Sequence, residues 1–193
     1  LMIHDDLLGS RKWMADFIQA WKVHLPRIPF WCQLRADSVL RIREYIPVLA
    51  EIGLTWVSLG LESGSQRMLN WLKKGTTVEQ NLKASYLLHE NQINIFGNYI
   101  IGLPTETEDD LQATARMLAE VRPEWHSGST YTSYPGSDLY EWVKANDYWA
   151  GGQYGDHLPH SLKIKGVDYN RLQRLGEEWR ANYQHPLREW RGA

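Results

Sequence analysis

Apolar and polar positions come in alternating blocks along this chain. Short runs of large or β-branched apolar residues are separated by longer stretches with apolar positions three or four apart. Leu1–Ile3 is the first short run, and Trp13, Phe17 and Trp21 then fall four apart, which predicts a helix. Pro29–Leu34 reads as a strand. Asp37 is an N-cap candidate for a helix carrying Val39, Ile42, Ile46 and Leu49 and closed by Gly53. The run Thr55–Leu61 reads as a strand. Thr76 and Glu79 have capping-box spacing ahead of a helix with Val78, Leu82 and Tyr86 on one face. Ile93–Pro104 contains the next strand. Thr107 and Asp110 repeat the capping spacing before Leu111, Ala115, Leu118 and Val121. A weaker strand follows in Glu124–Gly136 and ends in a Pro-Gly turn.

Strand and helix thus alternate about five times, which predicts an α/β domain built on a parallel sheet. The nearly continuous apolar strands predict cover on both sheet faces. Past Gly136 the pattern changes. Asp138–Trp149 reads as a helix, and Ala150–Gly166 as a loop punctuated by Gly and Pro. A last helix opens at Asp168 with Leu172, Leu175, Trp179 and Tyr183 on one face. The expected organisation is a partial barrel over residues 1–136 and a helical extension over 137–193.

Composition narrows the function. The chain has 193 residues, 43% of them hydrophobic, enough for one globular domain or a large part of one. With 21 basic and 23 acidic residues the net charge is −2, which gives no overall attraction for nucleic acid or an anionic membrane. No apolar run approaches the ~20 residues of a membrane span. Cys32 is the one cysteine, so the chain forms no internal disulfide and no site built from several of its own thiolates. A cytoplasmic location is expected. The abrupt opening "LMIHDD" leads us to expect that the chain is part of a longer polypeptide.

In parallel α/β folds the chemistry gathers at the C-terminal ends of the strands. Here those ends carry His4, Asp5 and Asp6; Arg35 and Asp37; Glu62, Ser63 and Gly64; Asn98 and Gly102; and the stretch Tyr131–Gly136. Polar strand ends also occur simply because they meet water. It is the recurrence at every strand that suggests one functional rim. Lys73 and Lys74 follow Glu62 by about a dozen residues, in what is otherwise a solvated turn.

Three segments, "VSLGLESGSQRMLNWLKKGTT", "GNYIIGLPTETEDDLQAT" and "YTSYPGSDLY", occur in an order and spacing that resemble the radical SAM superfamily. The likeness is greatest to the branch whose members often carry a cobalamin-binding domain ahead of a TIM-like barrel. "IHDD" and "QLRAD" fit the same pattern, so the resemblance covers about residues 1–142. Thr105 stands where the family usually has Gly, Ser133 where Pro is common, and Ser137 replaces Thr. The family's Cys-x3-Cys-x2-Cys loop is absent, and on this resemblance it would lie upstream of Leu1.

The resemblance implies S-adenosylmethionine as cosubstrate, a [4Fe–4S] cluster, and cobalamin as a candidate further cofactor. In the family the cluster reduces the sulfonium, the S–C5′ bond breaks, and the resulting 5′-deoxyadenosyl radical takes hydrogen from substrate. It assigns Glu62 to the ribose and Lys74 to the cosubstrate's carboxylate, with Lys73 as the alternative. Arg35 would face the cosubstrate, and Asn98 would lie near the ribose. Ile100, Gly102 and Thr132 would lend backbone around the adenine. Asp5 and Asp6 would hold the amino group, unless they are a helix-start pair. The implied partner is a small-molecule or cofactor-like substrate. A barrel missing its first strand is also expected to self-associate, or to cover its open parallel edge.

Two other readings stay open from the residues alone. One is a cluster-less barrel binding a nucleotide-like ligand or a protein partner, and the other is an α/β-barrel enzyme without a radical step. His157 and His160 beside Asp156 read as surface loop rather than metal ligands. The C-terminal stretch 169–192 has five arginines among four aromatics and three glutamates. It reads as an amphipathic helix docked on the barrel rather than as an RNA contact.

Overall fold

The computed structural model describes residues 2–6, 11–25, 28–153 and 162–187, with side chains placed for 11–25, 28–150 and 163–187. Five parallel strands lie side by side in chain order: β1 (Met2–Asp6), β2 (Phe30–Arg35), β3 (Leu54–Glu62), β4 (Asn94–Ile101) and β5 (Trp125–Thr130). Between them run α1 (Arg11–His24), α2 (Ala36–Arg41), α3 (Ile46–Ile52), α4 (Gln66–Trp71), α5 (Val78–Glu90) and α6 (Glu108–Val121). Sequential parallel strands joined by helical crossovers make an open, partial TIM-like barrel wall. α7 (Asp138–Ala145), the antiparallel pair β6 (Trp149–Gln153) and β7 (Leu162–Ile164), and α8 (Tyr169–Tyr183) complete the chain. Among the described residues no helix is long and apolar enough to cross a membrane.

Among the described residues the expected cover on both sheet faces is not observed. β2 alternates from buried to accessible: Phe30, Cys32 and Leu34 point into the helix layer, while Trp31, Gln33 and Arg35 point to the other side. Val57, Leu59, Leu61, Ile95 and Ile101 continue the buried face, each at most 1% exposed. They meet Leu49, Leu88, Leu118 and Trp179 from α3, α5, α6 and α8 in one apolar cluster. The inner face is half open. A fully covered parallel strand needs apolar residues at both parities, and here only one parity is uniformly apolar.

Several local expectations shift by a residue or a turn. The helix expected from Asp37 to Gly53 is broken into α2, a 3₁₀ turn (Arg43–Tyr45) and α3. Pro47 lacks an N–H and its ring crowds the preceding turn, so a continuous helix cannot pass through it. Arg35, not Asp37, occupies the N-cap of α2, and Asp37 sits in the first turn, where its charge suits the helix dipole. The capping box of α5 is formed by Thr77 and Gln80 rather than Thr76 and Glu79. Glu79 instead pairs with Lys83 one turn on. The buried face of α5 is Asn81, Ala84, Ser85 and Leu88, whereas Tyr86 is exposed and donates its hydroxyl proton to Glu120. The small residues allow close packing there, and Asn81 Nδ2 reaches the Leu61 carbonyl at 2.9 Å. The Thr107–Asp110 box at the start of α6 forms as expected.

The stretch expected as loop over 150–166 contains most of β6 and all of β7. Strands of five and three residues are too short to show a period. Ile164, 1% exposed, fixes this hairpin to Met68, Leu103, Tyr131 and Val143. Asp156, His157 and His160 lie outside the described residues. α8 docks against β5 and α6 through Leu172 and Trp179, whose indole lies 5.5 Å from the Tyr99 ring.

Candidate functional site

The inner face of the sheet is organised in layers by its register. Arg35 pairs with Gly60, and Gly60 with Asn98, so three neighbouring strands bring these positions together at their C-terminal ends. The β3–β4 register then slips between Gly60 and Glu62. Such an irregularity at a strand end re-aims the side chain that follows. Glu62 adopts a left-handed backbone, φ 58°, which costs a non-glycine residue ~1–2 kcal/mol. Its carboxylate thereby turns over Gly60. A Cβ on Gly60 would lie 3.1 Å from both Glu62 Oε1 and Lys74 Nζ, so the glycine leaves the room this pair occupies.

Lys74 reaches Glu62 because of how α4 ends. Lys73 sits one residue past the C-cap at φ 52°, and the Lys74 N–H bonds back to the Leu69 carbonyl at 3.1 Å. This is the Schellman arrangement, normally closed by glycine. It turns the chain so that Lys73 is exposed while Lys74 folds back onto the sheet. Lys74 Nζ then donates to Glu62 Oε1 at 2.6 Å, with both side chains less than one fifth exposed. Of the two lysines, the structure brings Lys74 to the rim.

Arg35 braces that turn. Its Nε donates to Asp37 Oδ1 at 2.9 Å, and a terminal nitrogen donates to the Lys74 carbonyl at 2.7 Å. Asn98 Nδ2 donates to Ser58 Oγ at 2.8 Å, which leaves its acceptor oxygen for other contacts. Arg35, Glu62, Lys74 and Asn98 all line a cleft of about 410 Å³. Glu62 and Asn98 also border a second cleft of about 430 Å³, walled by Ile100, Tyr131, Thr132 and Leu139. One carboxylate thus lies between a charged cleft and a largely apolar one.

The loop after Glu62 is keyed into α6. Gly64 packs so close that a Cβ would lie 2.2 Å from the Ala113 carbonyl oxygen. Its N–H donates to Thr114 Oγ1 at 2.9 Å. Ser65 caps α4 and donates its hydroxyl proton to Asp110 Oδ1 at 2.5 Å. Asp110 also receives the Arg67 guanidinium, which in turn donates to the Thr105 carbonyl. Burial alone would raise the Asp110 carboxyl. The Arg67, Ser65 and Thr107 donors overcome that and hold it well below the usual carboxylate range. Asp110 therefore ties the Glu62 loop to the turn after β4.

Gly102 is in that turn but does not face either cleft. Its N–H donates to Glu106 Oε2 at 2.6 Å, and a Cβ there would strike Leu172. Burial pushes the Glu106 carboxyl up to about 7, against the opposing backbone hydrogen bonds from Gly102 and Leu103. Asp5 and Asp6 form the end of β1, with Asp6 in register with Gln33. They belong to a strand, not to a helix start, and their side chains lie outside the described residues.

Sequence reasoning did not single out Ser58, Glu106, Arg67 or the aromatic wall Trp31, and it placed Tyr131 at a strand end without marking it as a cleft wall. Strict alternation in "WCQLR" would have flagged Trp31 and Gln33 as a second face. Glu106 lies inside a quoted motif but one residue past its turn. Nothing in the sequence marks Arg67 as the partner of Asp110, 43 positions away.

S-adenosylmethionine fits these clefts in chemical kind: they offer a carboxylate, an ammonium, an amide oxygen and an apolar wall at one rim. An iron–sulfur cluster does not fit the residues of this chain. It needs several thiolates, whereas the chain has one cysteine, and Cys32 is fully buried on the helix-facing side of β2. Among the described residues no three His, Cys, Asp or Glu side chains converge as metal ligands.

Comparison with known proteins gives this geometry its family. The radical SAM superfamily model matches residues 23–118. The chain is 36% identical over 107 residues to the anaerobic magnesium-protoporphyrin IX monomethyl ester cyclase of Rubrivivax gelatinosus, covering 55% of this chain and 19% of the cyclase. It is 32% identical over 130 residues to the tRNA-2-methylthio-N(6)-dimethylallyladenosine synthase of Nitrosomonas europaea, covering 66% of this chain and 26% of the synthase. The chain thus spans only about a fifth to a quarter of the length of these curated relatives. Two solved structures share the fold. The radical S-adenosylmethionine methyltransferase TsrM of Kitasatospora setae, with tryptophan and a SAM analog bound, superposes with TM-score 0.65 at 14% identity, covering 87% of this chain and 39% of TsrM. The cobalamin-dependent S-adenosylmethionine radical enzyme OxsB superposes with TM-score 0.54 at 20% identity, covering 92% of this chain and 28% of OxsB. With the sequence motifs, the family match and the shared barrel wall in agreement, this chain belongs to the radical SAM superfamily.

Proposed function

We propose that the rim at the C-terminal ends of β2–β5 is the S-adenosylmethionine site of a radical SAM enzyme, and that polypeptide beyond these 193 residues supplies the cluster-binding cysteines. The observation that carries this reading is the Glu62–Lys74 pair, held in a half-open cleft and bordered by an apolar one. Glu62 keeps its second oxygen for the ribose hydroxyls. Lys74 has two further N–H donors for the cosubstrate's carboxylate. Neither contact requires the pair to open.

Asn98 Oδ1 adds an acceptor beside the ribose. Arg35 holds the Lys74 backbone and contributes positive charge to the same cleft. Ile100 and Thr132 flank the apolar cleft assigned to the adenine, and Gly102 supports it from behind through Glu106. Asp5 and Asp6 end the neighbouring strand and are assigned to the ammonium group. When bound, S-adenosylmethionine supplies the sulfonium from which the superfamily's radical chemistry starts. The role of this chain is to bind it, orient it and shield it from water. The fold shared with OxsB supports cobalamin as a second cofactor of the intact enzyme.

Calorimetric titration of the chain with S-adenosylmethionine and with adenosine tests this reading. Glu62→Gln should weaken both ligands by about tenfold, the loss of a charge-assisted hydrogen bond. Lys74→Met should weaken S-adenosylmethionine alone, because adenosine has no carboxylate. Equal binding of the two ligands, with no response to Lys74→Met, would instead favour a cluster-less nucleotide-binding barrel.

A further inference from the structure

Below the charged rim, the same inner face carries a floor of aromatic side chains. Trp31 is in register with Trp56 on β2 and β3, and Phe96 with Trp125 on β4 and β5. With Leu187 these four line a trough of about 540 Å³, within the range of small-molecule sites. Trp31, Trp56 and Phe96 are only partly buried and Trp125 is 44% exposed, whereas Cys32, Val57, Ile95 and His126, their neighbours on the opposite face, are at most 1% exposed. Two of the four, Trp31 and Phe96, also line the Glu62–Lys74 cleft, so the trough and the cleft adjoin across these two side chains.

Two features argue for a ligand rather than an unfinished core. A filled barrel interior stacks bulky branched side chains in successive layers. Here Trp56 is followed on the same face of β3 by Ser58 and Gly60, and Trp125 on β5 by Ser127, so the positions next above these two indoles carry small side chains. Among the described residues the lining of the trough carries no charge, while Arg35, Glu62 and Lys74 line the cleft at the rim. A charged body has no counter-charge on this floor, and desolvating it there would be costly. A flat uncharged ring system can stack on indoles and bury its faces.

We propose that this trough is the substrate subsite, and that the substrate is a molecule with a planar, uncharged aromatic or conjugated body. It lies on Trp31, Trp56, Phe96 and Trp125 with its reacting end toward the rim. The subsite deepens the reading of the rim as an S-adenosylmethionine site, but its binding chemistry is separate.

A matched pair of probes tests it. N-phenyl-1-naphthylamine is planar and uncharged. 8-Anilinonaphthalene-1-sulfonate has the same rings plus a negative charge. Titrated into the full chain and read by energy transfer from tryptophan, the uncharged probe should bind 1:1 with Kd on the order of 10–100 µM, and the sulfonate severalfold more weakly. Trp56→Ala and Trp31→Gln should each weaken the uncharged probe by about tenfold, with circular dichroism confirming the fold. Trp13→Ala, which removes an exposed indole on α1, should leave binding unchanged. Glu62→Gln should also leave it unchanged, so loss of S-adenosylmethionine binding and loss of probe binding are read separately. Unchanged binding in both trough variants overturns the proposal, as does equal affinity for the two probes. A dimer in sedimentation that excludes the probe and dissociates on Trp56→Ala also overturns it, because a second copy would then be the occupant.

Discussion

The two faces of the five-stranded sheet use the same strands for opposite ends. Toward the helices, Val57, Leu59, Leu61, Ile95 and Ile101 are closed off from water and interlock with four helices. On the inner side, Gln33, Gly60, Glu62 and Asn98 remain accessible and carry nearly all the polar chemistry. The strand period of two makes this possible, because adjacent residues in one strand never share a face. One parity supplies the stability and the other can be strained or polar. Glu62 at φ 58° beside fully buried Leu61 shows this at neighbouring positions.

The comparison breaks most sharply under truncation. Leu59→Ala should cost ~2–5 kcal/mol, the range for a buried Leu that leaves a cavity. On the inner face, Gln33→Ala should stay within ~0.5 kcal/mol. Urea midpoints with matched slopes would measure both, and similar losses at the two positions would contradict the division of labour.

The next effect depends on pH. Glu106 titrates near 7 in the folded chain against a reference of 4.5, so an unfolded chain gives up this proton first. The stability it contributes is complete below about pH 4.5 and is lost as pH rises to about 7. Glu106→Gln should remove that slope, a change of about 3 kcal/mol between the limits. Asp110 has the opposite sign. Its stabilisation is present above the reference value of 3.8 and fades as acid protonates it. Thermal melts from pH 4 to 8 should therefore show the Glu106 slope in the native chain and not in the variant.

Gly64→Ala should cost ~1–3 kcal/mol by overpacking against the Ala113 backbone. It should also weaken ligand binding at the rim, since the Glu62 loop is set by that contact. The smallest effect is a gain. Lys73→Gly relieves a left-handed non-glycine residue at a helix end and should stabilise the chain by ~0.5–1 kcal/mol. Lys74 should keep its contact with Glu62 in that variant, because the turn that aims it is retained.

Much of this was legible in the sequence. The strand–helix alternation, the polar strand ends and the Thr107–Asp110 cap are local patterns, and they reappear in place. Glu62, Lys74, Arg35 and Asn98 were named from strand ends and motif likeness, and the fold brings all four to one cleft. What escaped was non-local or balanced between near equals. Thr76 and Thr77 offer equivalent caps, and only packing selects the second, since Thr76 is 2% exposed. The Arg67–Asp110 clasp and the aromatic trough depend on which strands become neighbours, and no window of sequence contains that. Gly102 was expected at the adenine because of its motif, but its amide is taken by Glu106.

The most direct test of the account is an amide chemical-shift map of the isotope-labelled chain during titration with S-adenosylmethionine. The account predicts saturable shifts at Gly60, Glu62, Lys74, Asn98, Ile100 and Thr132, with Phe30, Leu54 and the helix-facing core unmoved. Saturable shifts confined to the strand N-terminal ends or the helix layer, or no saturable shift at millimolar ligand, would contradict it.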